Sequence, residues 1–306
     1  MASKHSSELS TLQAHLCQVH LGDDVAVEQL LASLIAGGHC LIQGAPGLGK
    51  TRLLRELSAC LNLDFQRIQG TPDLMPSDIT GSEIFNQADA TFEFEPGPIF
   101  AQLCMFDELN RATPRTQAAL LQAMEEGQVS AARTTHELPK PFFVAATQNP
   151  IEIEGTFPLP AAQLDRFMVR IDLQQPSTDC LTKILQLADA QVGPQLNADL
   201  LLDIQQQVLN VAIADDLVSQ AAQLVSATHD HEDVQSGASP RGGQAMIKMA
   251  KGLAYLRAQQ HVTPLDLRDA AAPVLRHRLS VAFHAMGQQI DSDGILEDII
   301  SRNPIS

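Results

Sequence analysis

A chain of 306 residues, 44% hydrophobic and 18% charged, carries apolar material for one large or two medium cores and lies outside the composition of disordered chains. Its formal net charge of −16, from 36 acidic against 20 basic residues, argues against non-specific nucleic-acid binding, which needs clustered Lys and Arg. Five scattered cysteines without a C-x-x-C pair, a polar N-terminus and the lack of any long apolar run set the expectation of a reduced, cytoplasmic protein with no membrane span and no zinc site.

Residues 9–36 repeat apolar side chains at helical spacing (Leu9, Leu12 and Leu16, then Val27, Leu30, Leu31 and Leu34), interrupted at Leu21-Gly22-Asp23-Asp24. Gly37-Gly38 stops the second helix, and His39-Cys40-Leu41-Ile42 reads as a first strand. Directly after it stands Gly44-Ala45-Pro46-Gly47-Leu48-Gly49-Lys50-Thr51, a complete G-x-x-x-x-G-K-T loop, and Arg52-Leu53-Leu54-Arg55-Glu56-Leu57 continues as a helix. Strand, loop and helix in this order are the context that a phosphate-binding loop requires. Glycines let backbone N–H groups curl around phosphate oxygens, and the helix directs its positive dipole end at them. Residues 44–52 are therefore the candidate binding residues for a nucleoside triphosphate. Lys50 would reach the β- and γ-phosphates, and the Thr51 hydroxyl would be a ligand for Mg²⁺.

Further apolar runs at 65–68, 103–106, 142–146 and 169–173 alternate with helical stretches. Such alternation predicts an α/β fold, a parallel sheet covered by helices on both faces. Residues 82–99 depart from it: Thr91-Phe92-Glu93-Phe94-Glu95 alternates apolar and acidic residues, which predicts an inserted hairpin. Gln174-Gln175-Pro176-Ser177 is a linker, and from Asp179 onward the chain turns Leu- and Ala-rich. Helices are predicted over 178–191, 199–208, 215–229, 240–258, 264–283 and 291–301, with Pro240 and Pro264 suited to first turns. The expected division is an α/β domain over 1–173 and an all-α domain over 174–306.

The chemistry around the phosphates has further candidates. Leu103-Cys104-Met105-Phe106 ends in Asp107-Glu108, an apolar strand with two carboxylates at its tip. Asp107 could hold Mg²⁺ next to Thr51, directly or through water. Glu108 could accept a proton from the water that attacks the γ-phosphate, or orient that water. The run 142–146 leads into Thr147-Gln148-Asn149, and Asn149 at that tip could hydrogen-bond the γ-phosphate or the water. A turn-initiating Asn before Pro150 is the plain alternative. Arg166, in Leu164-Asp165-Arg166-Phe167, and Arg241, in Ser239-Pro240-Arg241, supply the residue type that neutralises charge on a transferring phosphoryl group. Neither tetrapeptide identifies its arginine; a solvated or salt-bridged side chain is the default.

Four blocks carry a specific resemblance: 67–85 (RIQGTPDLMPSDITGSEIF), 106–130 (FDELNRATPRTQAALLQAMEEGQVS), 144–167 (VAATQNPIEIEGTFPLPAAQLDRF) and 237–242 (GASPRG). In that order, after the phosphate-binding loop, they resemble the MoxR branch of the AAA+ ATPases over most of residues 20–280. The resemblance implies an AAA+ αβα core followed by an all-α lid, an ATP and Mg²⁺ site shared between neighbouring subunits, and a homo-oligomeric ring, a hexamer. It makes Lys50 and Thr51 Walker A, Asp107 and Glu108 Walker B, Asn149 sensor 1, Arg166 the arginine finger offered to the adjacent subunit, and Arg241 sensor 2. The Leu21–Asp24 turn corresponds to the adenine pocket, residues 82–99 to the helix-2 insert, and Glu126–Ser130 to the pre-sensor-1 hairpin. It implies chaperone-like remodelling or activation of a client protein or metalloenzyme, with a von Willebrand factor A domain partner. Ala161 stands where many members have Glu, and Gly70 where many have an aromatic residue; Arg111, His277 and Arg278 belong to similar blocks without an assigned role. A magnesium-chelatase-like motor subunit, a nucleic-acid motor and a nucleotide-gated scaffold with little turnover are the alternatives.

Overall fold

The computed structural model describes residues 2–88, 90–131, 134–149, 155–186 and 193–306. Helices α1 (Ala2–Val19) and α2 (Asp24–Ile35) meet at the expected break, where the Asp23 carboxylate accepts the Ala26 amide at 3.0 Å and caps α2. Strand β1 (Cys40–Gln43) leads through the glycine-rich loop into α3 (Lys50–Cys60), and β2 (Phe65–Gln69) follows. A short helix α4 (Pro76–Thr80) precedes β3 (Gly81–Asn86) and β4 (Thr91–Pro96), which pair antiparallel as the inserted hairpin. Next come β5 (Leu103–Asp107), α5 (Pro114–Glu126), and a second hairpin of β6 (Gln128–Ala131) and β7 (Thr134–Glu137). The α/β part closes with β8 (Phe143–Gln148), the single turn α6 (Ala161–Leu164) and β9 (Val169–Asp172).

Five strands form one parallel sheet in the order β2-β5-β8-β1-β9. Successive residues of a strand point to opposite faces, and the packing follows that rule. Cys40, Ile42, Leu103, Met105 and Ala145 join one buried cluster with α1, α2 and α3, whereas Leu41, Cys104, Phe106, Val144 and Ala146 join another with α4 and α5. Both faces are covered, so these strands are apolar runs and not alternating ones.

The remainder is helical: α7 (Thr178–Gln186), α8 (Ala198–Leu209), α9 (Asp215–Asp230), then β10 (Val234–Ser236), α10 (Pro240–Leu256), α11 (Pro264–Leu275), β11 (Ser280–Val281), α12 (Phe283–Gly287) and α13 (Ser292–Arg302). The expected stretch 187–191 of α7 and residues 150–154 of the third block lie outside the described residues. One helix expected over 264–283 is corrected. The helix ends at Leu275, and Ser280–Val281 pairs antiparallel with Val234–Ser236. The apolar spacing through 275–283 does not reveal this, because pairing with a segment some 45 residues earlier is a non-local choice.

The lid does not hang free. Leu30, Leu31 and Leu34 of α2 are in the same buried cluster as Met249 and Leu253 of α10 and Ile295 of α13. A fully buried Leu contributes about 2 kcal/mol, so this seam is a strong weld. Gly252 of α10 lies so near α2 that a Cβ there would be 2.5 Å from the Ala32 carbonyl oxygen. Arg257 adds a charged clasp, donating to Glu28, Asp266 and Asp269 at 2.7–3.0 Å, which holds its guanidinium above the ordinary arginine range. Among the described residues no helix is long and apolar enough to cross a membrane.

Candidate functional site

Because β8 pairs with both β1 and β5, the C-terminal ends of these three strands lie side by side. That edge of an open parallel sheet is where ligands bind. After β1 the backbone passes through Gly47 at φ 86° and Gly49 at φ 79°, a left-handed conformation that glycine adopts without a Cβ penalty. Gly49 is the residue before α3, so the loop delivers Lys50 and Thr51 to the first turn of a helix. The Lys50 ammonium donates to the Gly44 carbonyl at 2.6 Å and to Ala45 at 3.4 Å, bracing the loop from inside. Burial pushes its pKa down, opposed by Asp107 and Glu108. Pro46–Arg52, Arg67, Asp107, Glu108, Thr147 and Asn149 line a cleft of about 430 Å³. All three sequence motifs therefore converge on one site.

His20, just before the Leu21–Asp24 turn, approaches the phosphate-binding loop. A Cβ on Gly49 would be 3.6 Å from His20 Nδ1, and Gly22, at φ 98°, packs against Cys180 of α7. Asp23 also accepts the Gln174 amide at 3.0 Å. The turn thus joins the phosphate-binding loop to the linker into the lid.

At the tip of β5 each carboxylate has its own partners. Asp107 Oδ1 accepts the Thr147 hydroxyl at 2.6 Å, and its Oδ2 accepts Arg67 Nη2 at 2.6 Å. Glu108 Oε2 accepts Gln69 Nε2 at 2.9 Å and Arg111 Nη1 at 3.0 Å. The Glu108 backbone stands at φ 55°, an uncommon conformation for a residue with a side chain. Two contacts hold it there. Its amide donates to Thr147 Oγ1 at 2.9 Å. Gly70, whose amide donates to the Asp107 carbonyl at 2.7 Å, approaches so closely that a Cβ would be 2.2 Å from the Glu108 carbonyl oxygen. The glycine that departs from the resembled pattern is what this packing needs. Ala161, the other departure, opens α6 without an acidic residue in the first turn.

The two arginines lie elsewhere. Arg166 and Arg241 are absent from the cleft lining and meet each other instead on Glu125, at the end of α5. Arg166 Nη2 lies 3.2 Å from Glu125 Oε2, and Arg241 Nη2 lies 2.5 Å from Oε1. Next door, Asp165 accepts Ser239 Oγ at 3.0 Å and Arg278 Nε at 2.6 Å. Arg278, buried, also donates to the carbonyls of Asp165, Phe167 and Met168, and His277 contacts the Phe167 carbonyl at 3.0 Å. These two residues, just after α11, tie the lid to the segment that carries Arg166.

Arg67, Gln69, Thr147 and Glu125 were not singled out from the sequence. Arg67 and Gln69 share one face of β2, and Gln69 is in register with Asp107; two polar residues two apart in a strand were the available signal. Glu125 gives none, since its partners are 41 and 116 residues away.

Two other features lie apart from the cleft. A cavity of about 770 Å³ between α2, α10, α11 and α13 shares no lining residue with it. His15 of α1 contacts Glu56 of α3 at 2.7 Å beside Cys60. Burial and Glu56 push the Cys60 thiol up to about 11, which disfavours the thiolate that a metal requires.

Comparison with known proteins agrees with the geometry. Residues 39–169 match the family model described as the ATPase family associated with various cellular activities (AAA), and residues 226–299 match the AAA lid domain. The chain is 40% identical to the uncharacterized protein YeaC of Bacillus subtilis (strain 168), over 94% of this chain and 91% of that protein. It is 36% identical to Chaperone MoxR1 of Mycobacterium tuberculosis (strain ATCC 25618 / H37Rv), over 96% of this chain and 82% of that one. A solved structure from Cytophaga hutchinsonii, described provisionally as an ATPase, superposes with a TM-score of 0.91 at 33% identity, covering 100% of this chain and 97% of that one.

Proposed function

Since this chain belongs to the MoxR family of AAA+ ATPases, we propose that it hydrolyses ATP in a ring of identical subunits and uses the cycle to remodel a client protein. The observation that carries this reading is the split of its candidate site residues. Lys50, Thr51, Asp107, Glu108 and Asn149 belong to one cleft, while Arg166 and Arg241 stand outside it as a pair. Of the two arginines in the cleft, Arg52 follows Thr51 on α3 and Arg67 is engaged by Asp107 and Gln69, whereas the two that the resemblance assigns to phosphoryl transfer lie outside it. A neighbour in a ring can provide them.

ATP fits the cleft by chemistry. The loop offers glycine-permitted backbone turns and a helix N-terminus for phosphate, and Lys50 can exchange its carbonyl partners for phosphate oxygens. Thr51 and Asp107 are hard oxygen donors suited to Mg²⁺, which when bound supplies charge neutralisation at the phosphates. Asp107 already accepts from Arg67 and Thr147, an arrangement compatible with holding the ion through water. Glu108 takes the proton of the attacking water or orients it. Gln69 and Arg111 hold its carboxylate until then. Asn149, buried at the neighbouring strand tip, would hydrogen-bond the same water or the γ-phosphate.

Arg166 and Arg241 act on the ATP of the next subunit. Because α10 is packed onto α2 of its own core, the motion after hydrolysis falls between subunits, and the lid does not swing alone. A hexameric ring, a von Willebrand factor A domain partner and a chaperone-like task are the finer parts of this reading; the name of Chaperone MoxR1 supports the last. The test is Glu108→Gln. It should keep ATP binding and lose turnover by about a hundredfold or more. An unchanged hydrolysis rate would sink the proposal.

A further inference from the structure

Glu125 has no place in the reaction described above, yet it touches both arginines that do. Three elements converge on it: α5 of the sheet's helical layer, the segment between α6 and β9, and the first turn of α10 in the lid. Its two carboxylate oxygens are divided, Oε2 to Arg166 and Oε1 to Arg241. Each arginine commits one terminal nitrogen of a guanidinium that carries five N–H donors, so each retains donors for a phosphate. Two guanidiniums held this close repel each other. The carboxylate between them cancels that repulsion and fixes their mutual orientation.

The geometry points to Glu125 as the positioning residue that couples Arg166 and Arg241 into one preorganised pair, presented to the γ-phosphate held by the neighbouring subunit. This rests on the reading that both arginines act in trans. The contact with Arg241, foremost, holds the Glu125 carboxyl below the ordinary carboxylate range, so the bridge stays charged at neutral pH. The backbones that carry the arginines are fixed separately: Ser239 and Arg278 both anchor on Asp165. Removing Glu125 therefore frees the guanidiniums and leaves the fold intact. An exposed ion pair adds little to stability, so the consequence is catalytic.

The experiment is subunit complementation. Glu125→Ala should lower kcat about tenfold or more, since small displacements of a charge-stabilising group are costly. The KM for ATP should change less than about threefold, because the binding groups sit on the other subunit. Glu125→Gln should recover part of the loss, as its oxygen still accepts. Co-expressed rings of Glu125→Ala with Glu108→Gln should be more active than either alone, because the intact cleft of the first meets the intact arginines of the second. Wild-type turnover in Glu125→Ala overturns the inference. It is also overturned if Arg166→Ala is rescued by Glu108→Gln subunits and Glu125→Ala is not; the trans reading then survives. If neither mixture gains activity, the trans reading itself fails and takes this one with it.

Discussion

Gly70 and Glu108 are in backbone contact: a methyl group on Gly70 would lie 2.2 Å from the Glu108 carbonyl oxygen. The residue proposed to activate water is thus held at φ 55° by a glycine on the neighbouring strand's loop. Such conformations persist only where the surroundings over-determine them.

Gly70→Ala should displace the Glu108 backbone, because the clash is with main chain and not with a flexible side-chain end. We expect kcat to fall at least about tenfold, with about 1–3 kcal/mol lost from stability through overpacking. ATP affinity should stay within about threefold, since Lys50 and Thr51 are untouched. Single-turnover kinetics beside equilibrium nucleotide binding separates the two; a parallel loss of binding would contradict this account.

Arg67 occupies Asp107 at 2.6 Å, where it competes with a divalent cation for the same carboxylate. An ion pair this exposed is worth about 0.2–1 kcal/mol. Arg67→Met should accordingly lower the Mg²⁺ concentration that half-saturates nucleotide binding, by about two- to fivefold. A fluorescent ATP analogue titrated with Mg²⁺ reads this directly. An unchanged or raised requirement would show that Arg67 does not compete.

His39 should make the fold acid-sensitive. It is partly buried between a donor and an acceptor, with Nδ1 accepting the Val144 amide at 3.1 Å and Nε2 facing the Met124 carbonyl at 3.2 Å, so the neutral ring fits. Burial lowers its pKa from 6.5 to about 4. Below pH 6.5 the unfolded chain takes up a proton that the folded chain refuses, so the contribution is complete above pH 6.5 and shrinks as pH falls toward 4. The full drop is about 3 kcal/mol, with about 2 kcal/mol gone by pH 5. His277, lowered in the same direction by burial and Arg278, adds to it. Urea unfolding at pH 7.5 and pH 5 should show a smaller difference in His39→Asn than in the parent. Equal slopes would refute the assignment.

At the seam between lid and core two effects oppose each other. Gly252→Ala gains about 1 kcal/mol of helix propensity, but the added carbon lies 2.5 Å from the Ala32 carbonyl oxygen. Overpacking against backbone costs about 1–3 kcal/mol, and the rigid partner places it toward the upper end. We expect a net loss of about 1–2 kcal/mol in chemical denaturation. A net gain would mean that α2 and α10 can separate at little cost.

The features legible in the amino-acid order are those whose meaning is local. G-x-x-x-x-G-K-T between a strand and a helix needs its glycines and its lysine at fixed spacing, and an apolar run ending in Asp107-Glu108 announces a buried strand with a charged tip. The five sheet strands followed from apolar runs and the two N-terminal helices from helical spacing, because burial is written residue by residue; the inserted hairpin followed from its apolar–acidic alternation. Tertiary structure alone decided what depends on partners distant in the chain. It set the strand order that brings β5 and β8 beside the loop. It placed Arg67 and Gln69 on carboxylates some 40 residues away, and it ended α11 at Leu275 so that Ser280–Val281 could join β10. It also took Arg166 and Arg241 out of the cleft and set them together on Glu125. A carboxylate at the end of an amphipathic helix looks solvated from its neighbours in sequence, and only the fold brings two arginines to it.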